Sequence, residues 1–361
     1  MKTYISKIFL LIILATGMVS CSDFLTEDPK GRLATQTFFG DKSDLGASLN
    51  ALYLIVAESQ YANHFTGTNF LVGDDISTHP ASNKQPLREH DQFDVSNNNA
   101  WLHYLWEQRW KIVKCANFII NNADKTPDVS EEEIKVVIAQ ASYWRAYAYF
   151  YLVTTWGSVP IILEETIDYE AQLHSEEEIY ELIIQDLKTA EAGCPVQYTN
   201  APYVRNGMNI AISQGAVKAT MAYVYMAMAG WPLNKGVEYY QLAANKAKEV
   251  IDGVDNGTYY YSLLDEYWKV YSWEYNDTNP EVLLGIYYNR DRTANLSPVT
   301  DFLQDLKPAG WGDTNGEIKF WKEFPEGPRK EASYFPKILF SDGELHDWWY
   351  DTDPPSRAVV A

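Results

Sequence analysis

The chain is poor in cysteine, in histidine and in positive charge, and each shortage narrows what it can be. Three cysteines in 361 residues, Cys21, Cys115 and Cys194, are too few for a disulfide scaffold and lack the spacing of metal ligands. Cys115 and Cys194 read as core thiols or one optional bridge. The six histidines are scattered, and no His-Glu-x-x-His, Gly-x-Ser-x-Gly or Gly-Lys-Ser segment is present. Asp74-Asp75 is the most suggestive carboxylate pair. Adjacent positions seldom give the separation at which two carboxyls flank a glycosidic bond. The sequence therefore calls for no metal, no cofactor and no catalytic centre. Its 29 basic residues stand against 49 acidic ones, a formal charge of −20, with no basic stripe. That field repels polyanions and excludes nucleic acid as a partner.

Long apolar runs are scarce too. One run, from Ile8 to about Val19, follows Lys2 and Lys7 and precedes Ser20, the layout of a secretory signal. It is shorter than the ~20 apolar residues a transmembrane helix needs. Removing residues 1–20 leaves 27 basic residues against 49 acidic ones, or −22. The segment Met18-Val19-Ser20-Cys21 resembles a bacterial lipobox, with Met18 where leucine is more usual. Cys21 is then the lipidation site and the mature chain is held on a membrane by acyl chains, each buried methylene contributing ~0.8 kcal/mol. Residues 21–40, which open Ser-Asp-Phe-Leu-Thr-Glu-Asp-Pro, read as an acidic tether.

What the chain has in quantity is helix pattern and aromatic rings. Ser130 with Glu133, and Ser175 with Glu178, form the capping boxes of two helices. Ile134, Ile138, Ala141, Ala148 and Leu152 make a stripe on the first, with Arg145 on the same stripe. Ile179, Leu182, Ile183, Leu187 and Ala190 do so on the second, which Gly193 and Pro195 stop. Two more helices are expected over Ile210–Ala229, with Ala216, Ala219 and Tyr223 inward, and Val237–Ile251, with Tyr240, Ala244 and Ala247 inward. Paired helices of this length suggest tetratricopeptide-like units with an irregular period. Two long insertions, Phe65–Ala100 and the stretch after Asp252, carry little helical periodicity. Loops of such length are usually functional or disordered. The second holds Trp268, Trp273, Trp311, Trp321, Trp348 and Trp349, too aromatic for disorder. With 12 Trp and 26 Tyr in all, the chain has rings to spare for a binding surface.

Tyr143-Trp-Arg-Ala-Tyr-Ala-Tyr-Phe-Tyr-Leu-Val-Thr-Thr-Trp-Gly-Ser-Val-Pro-Ile161 resembles a signature of the SusD/RagB family of outer-membrane nutrient-binding lipoproteins. Trp110-Lys-Ile-Val-Lys-Cys-Ala-Asn117, Ile179-Tyr-Glu-Leu-Ile-Ile-Gln-Asp-Leu187, Ala244–Ile251 and Phe324-Pro-Glu-Gly-Pro-Arg-Lys330 resemble further family segments in the same order. Gln140 stands where the family commonly has Glu, leaving open which group pairs with Arg145. The resemblance implies an all-α, tetratricopeptide-like superhelix with long ligand-binding insertions: residues 41–252 as the N-terminal helical region and 253–361 as a loop-rich region. Family members continue into further helices, so the likeness implies a C-terminally incomplete body with bare apolar helix faces.

The same resemblance implies capture of an oligosaccharide, or alternatively an oligopeptide, for a SusC-like TonB-dependent transporter in the outer membrane, facing the cell exterior. A pyranose packs its C–H face on an aromatic ring and its hydroxyls on Asp, Asn and Arg. The contacts the resemblance implies are Asp75, Arg88 and Trp101 on one side and Trp273, Tyr275, Trp311 and Trp321 on the other. Trp106, Trp110, Trp144, Trp156 and Arg145 are assigned to the core. An exported helical glycosidase and a purely structural repeat scaffold are the weaker alternatives.

Overall fold

The computed structural model describes residues 38–60, 72–78, 84–165, 168, 170–199, 202–272, 274–275, 278–286, 314–335, 337–339, 344–347 and 359–360. Contacts divide the chain into residues 1–40 and 41–361. In the first unit, the Phe38 and Phe39 rings meet edge to face at 5.1 Å. Among the described residues the second is built on six longer helices, four of them started by a side-chain cap.

Helix α1 is Lys42–Ser59, and Asp41 and Asp44 cap it reciprocally. A short strand β1 (Ile76–Thr78) and helix α2 (Gln85–Asp91) lie in the first insertion, where little helix was expected. Pro86 is tolerated there because an amide in the first turn has no intrahelical partner. Helix α3 (Ala100–Asn122) starts at Asn99, whose side chain accepts from the Trp101 and Leu102 amides. Helices α4 (Glu131–Trp156) and α5 (Glu176–Gly193) begin at the expected capping boxes, Ser130/Glu133 and Ser175/Glu178. A two-residue hairpin pair, β2 (Val204–Arg205) and β3 (Met208–Asn209), precedes α6 (Gln214–Ala229) and α7 (Val237–Asp255). Helix α6 therefore starts four residues later than its periodicity suggests.

The helices pack as successive pairs, α4 most extensively on α5 and α3, α6 on α7, and α1 on α3. Helix α4 is not one-sided. Between Ala139 and Ala146 every residue is buried, because α1, α3 and α5 cover it from different directions. Gly193 permits the closest approach, since a Cβ there would lie 2.6 Å from the Ala139 Cβ. Tyr53 of α1 donates to Gln140 Oε1 (2.6 Å) and accepts from the Ile212 amide (3.0 Å), joining α1, α4 and the entry to α6. Cys115 and Cys194 are free thiols, and burial pushes both upward in pKa.

Two inward faces differ from expectation. On α6, Ala216 is buried as expected, with Val217, Met221, Val224 and Met228, whereas Ala219 is half-buried and Tyr223 points out at 58 % exposure. On α7 the face turned inward carries Tyr239, Ala243 and Lys246, and the expected one, Tyr240, Ala244 and Ala247, is exposed. Lys246 decides this phase, because its ammonium reaches Glu191 of α5 at 2.8 Å. The apolar stripe Val237–Tyr240–Ala244–Ala247–Ile251 is left facing outward.

In the second insertion, β4 (Thr314–Gly316), α8 (Ile318–Glu323), α9 (Pro328–Ser333) and short strands β5 (Tyr334–Phe335), β6 (Lys337–Leu339), β7 (Leu345–Asp347) and β8 (Val359–Val360) follow a 3₁₀ turn over Tyr267–Tyr271. The Pro328-Arg-Lys segment, expected as loop, opens α9. All four ladders among the described residues, β1–β4, β2–β3, β5–β8 and β6–β7, are two-stranded and antiparallel. Among the described residues no helix is long and apolar enough to cross a membrane.

Candidate functional site

The signature segments meet in the core. Arg145 of α4 donates from Nε to Asp186 Oδ2 (2.8 Å) and from Nη2 to Asp186 Oδ1 (2.7 Å), a bidentate pair, and from Nη1 to Asn117 Oδ1 (2.9 Å). Asn117 donates in turn to the Ile162 carbonyl, and Tyr149 bonds both the amide and carbonyl of Ile162. Burial raises the Asp186 carboxyl above its ordinary range, and the Arg145 guanidinium acts against that rise. This network supplies the charge partner that the sequence left open. It binds α3, α4, α5 and the segment after α4 together, and Asn117, Arg145 and Asp186 are all buried.

A different region offers a surface. Strand β1 of the first insertion pairs with β4 of the second in the register Ile76–Gly316, Ser77–Asn315 and Thr78–Thr314. The ladder continues where the Glu317 amide donates to the Asp75 carbonyl at 2.8 Å. Two loops far apart in the chain are thereby joined edge to edge. Thr78 is tied to α2 by its amide and hydroxyl, both donating to Asp91 Oδ2 (3.0 and 2.7 Å). Beside the ladder lies an open cleft of about 490 Å³. Its walls include Asp74, Ser77, Asp91 and Phe93 from one insertion and Glu317, Lys319, Phe320 and Glu323 from the other. Phe93 follows α2 with φ 54°, and its ring is 69 % exposed. A non-glycine residue held at positive φ is uncommon, and here it leaves a bare aromatic ring at the rim. Phe320 packs on Phe324 (5.5 Å), and Phe324 meets the buried Tyr334 (6.1 Å). Burial, with Asp75 nearby, pushes Tyr334 up to about 12.

The expected contact residues divide by position. Asp75 is at the ladder's end, half-buried, beside the cleft. Arg88 is half-buried on α2, and its guanidinium meets no partner among the described residues. Trp101 is buried against Leu87, with Ile76 packed on the pair, so it supports β1 instead of presenting an open face. Trp321 neighbours Phe320 on α8, and the Lys330 ammonium lies 4.7 Å from its ring centre, with Glu326 pairing that ammonium at 2.6 Å. Tyr275 packs edge-on against Trp268 (6.1 Å), with Lys269 5.9 Å from both rings. Arg329 of α9 lies over Tyr267 (5.6 Å), which links this aromatic group to the α8–α9 region. Trp273, Trp311 and Cys21 lie outside the described residues. Phe93, Phe320 and Tyr334 were not anticipated. For Phe93, an aromatic residue inside the polar run Asp91–Asn99 was the available signal.

The rings assigned to the core are arranged edge to face: Trp106 with Trp110 (5.5 Å) and Trp156 (5.1 Å), and Trp144 with Tyr53 (5.5 Å). Trp144 is fully buried, whereas Trp106, Trp110 and Trp156 are half-buried.

A tetratricopeptide-like body of paired helices carrying two long insertions is an architecture the chain shares with known proteins. Residues 23–226 match the SusD-like family model described as starch-binding and associating with the outer membrane. The chain belongs to the SusD-like family. It is 34 % identical over 209 residues to SusD-like protein P2 of Formosa agariphila, covering 56 % of this chain and 40 % of that one. It spans 38–60 % of the length of the curated relatives it matches. A SusD superfamily structure from Parabacteroides distasonis superposes with TM-score 0.72 at 18 % identity, covering 91 % of this chain and 69 % of that one. A structure solved with xylogluco-oligosaccharide superposes with TM-score 0.64 at 22 % identity, covering 86 % and 62 %.

Proposed function

We propose that the protein is a lipid-anchored binding protein of the cell surface that captures oligosaccharide in the cleft beside the β1–β4 ladder and delivers it to a TonB-dependent outer-membrane transporter. The observation that carries this reading is the ladder itself, which turns two separate insertions into one open surface of aromatic rings and carboxylates. Such a surface suits a sugar. An exposed ring accepts the C–H face, and carboxylate oxygens accept hydrogen bonds from hydroxyls. Asp75 and Trp321 border it, and Trp268 and Tyr275 extend the aromatic surface through the α9 contact. The family's starch-binding description and the oligosaccharide-bound relative support the ligand class. The role is binding and not turnover, because stacking and hydroxyl recognition need no activated nucleophile.

Titration of the full chain by calorimetry against neutral oligosaccharides and against oligopeptides tests the ligand. Saturable glycan binding that falls at least tenfold in Phe93→Ala plus Phe320→Ala supports the reading, and exclusive binding of peptides replaces it with the peptide alternative. The anchor is tested by Cys21→Ser, which should move the protein from the membrane fraction to the soluble one. The partner is tested by co-purification with a TonB-dependent outer-membrane transporter from the source cells, and recovery of the protein without one overturns the delivery role.

A further inference from the structure

We infer that the cleft is selective by charge, accepting glycans that carry no anionic groups and rejecting sulfated or uronate-bearing ones. The inference rests on the cleft being the ligand site. Among the described residues its charged lining is Asp74, Asp91, Glu317 and Glu323 against Lys319. Two of these acids are fixed by the fold: Asp91 accepts two bonds from Thr78, and Glu317 accepts the Lys319 amide as the cap of α8. Asp74 and Glu323 line the cleft and are exposed, with no ion pair to another side chain among the described residues.

An ionised carboxylate only accepts hydrogen bonds. A sugar hydroxyl or an amino-sugar ammonium can donate to it. A sulfate or uronate oxygen cannot, so each such group would face an acceptor with an acceptor and add like-charge repulsion. Rejection by unmatched groups is a general route to specificity. The excess of acids across the whole chain adds a repulsive field of the same sign during approach.

The test is a glycan array of the full chain at low and high salt, followed by calorimetry on matched pairs: a galactan oligosaccharide with and without sulfate, and an oligogalacturonate with and without methyl esterification. Wild type should bind the uncharged member of a pair at least about tenfold more tightly at low salt, with the gap narrowing as salt is added. In Asp74→Asn plus Glu323→Gln, both exposed positions, the ratio of anionic to neutral affinity should rise about tenfold. Equal or tighter binding of the anionic members by wild type, or an unchanged ratio in the variant, overturns the charge selectivity while leaving glycan capture intact. Absence of binding to any glycan, neutral, cationic or anionic, overturns the reading of the cleft and the selectivity with it.

Discussion

Arg145 and Asp186 form a buried bidentate ion pair, Nε to Oδ2 at 2.8 Å and Nη2 to Oδ1 at 2.7 Å, that fastens α4 to α5. Breaking such a pair strands the remaining charge, at a cost of about 3–5 kcal/mol. Asp186→Asn or Arg145→Met should lower the unfolding free energy measured by urea titration by that amount. The double variant Arg145→Met plus Asp186→Asn should be less destabilised than the sum of the two. Additive losses would mean that the two residues act separately.

Two glycines predict opposite signs. Gly193→Ala would place a Cβ 2.6 Å from the Ala139 Cβ and 3.0 Å from the Lys135 carbonyl oxygen, and should cost about 1–3 kcal/mol by overpacking. Gly46→Ala, inside α1 with nothing within 4 Å of the added carbon, should stabilise by about 0.5–1 kcal/mol. Thermal melts of the two variants check both.

The phase of α6 and α7 is tested by a contrast. Tyr240, 50 % exposed, should tolerate Ser within about 0.5 kcal/mol. Met221, buried on α6, should lose about 2–5 kcal/mol on replacement by Ala. A large loss at Tyr240 would turn α7 back to the orientation its sequence suggests.

Glu89 holds the loop after α2. Hydrogen bonds from Asn99, Gln85 and the Ser96 amide and hydroxyl lower its pKa from 4.5 to about 2. A carboxyl that binds its proton more weakly when folded favours the fold above pH 4.5 and loses that contribution as pH falls toward 2. Amide exchange at Ser96 should accelerate across that window in wild type. In Glu89→Gln it should be fast throughout and insensitive to pH beyond the intrinsic exchange rate.

Local chemistry was legible in the sequence, and long-range pairing was not. Ser130/Glu133 and Ser175/Glu178 are three residues apart, so their capping boxes could be seen without a fold. Helix α7 offers apolar residues on two sides, and only Lys246 reaching Glu191 selects between them. Asp186 was readable in principle as an acid within the stripe Ile179, Ile183, Leu187 and Ala190, where an unpaired charge would be too costly to bury. The β1–β4 ladder had no signature, since three-residue strands separated by most of the chain carry no periodicity. The expected contact residues were assigned to the two insertions by resemblance, while the cleft's own rings, Phe93 and Phe320, came only from the structure.

The central claim is that the joined insertions bind glycan, and calorimetry of the full chain with a neutral oligosaccharide tests it most directly. The account predicts saturable binding that Phe93→Ala plus Phe320→Ala weakens at least tenfold with the helical circular-dichroism spectrum unchanged. Glycan binding of full strength in that folded double variant would contradict it.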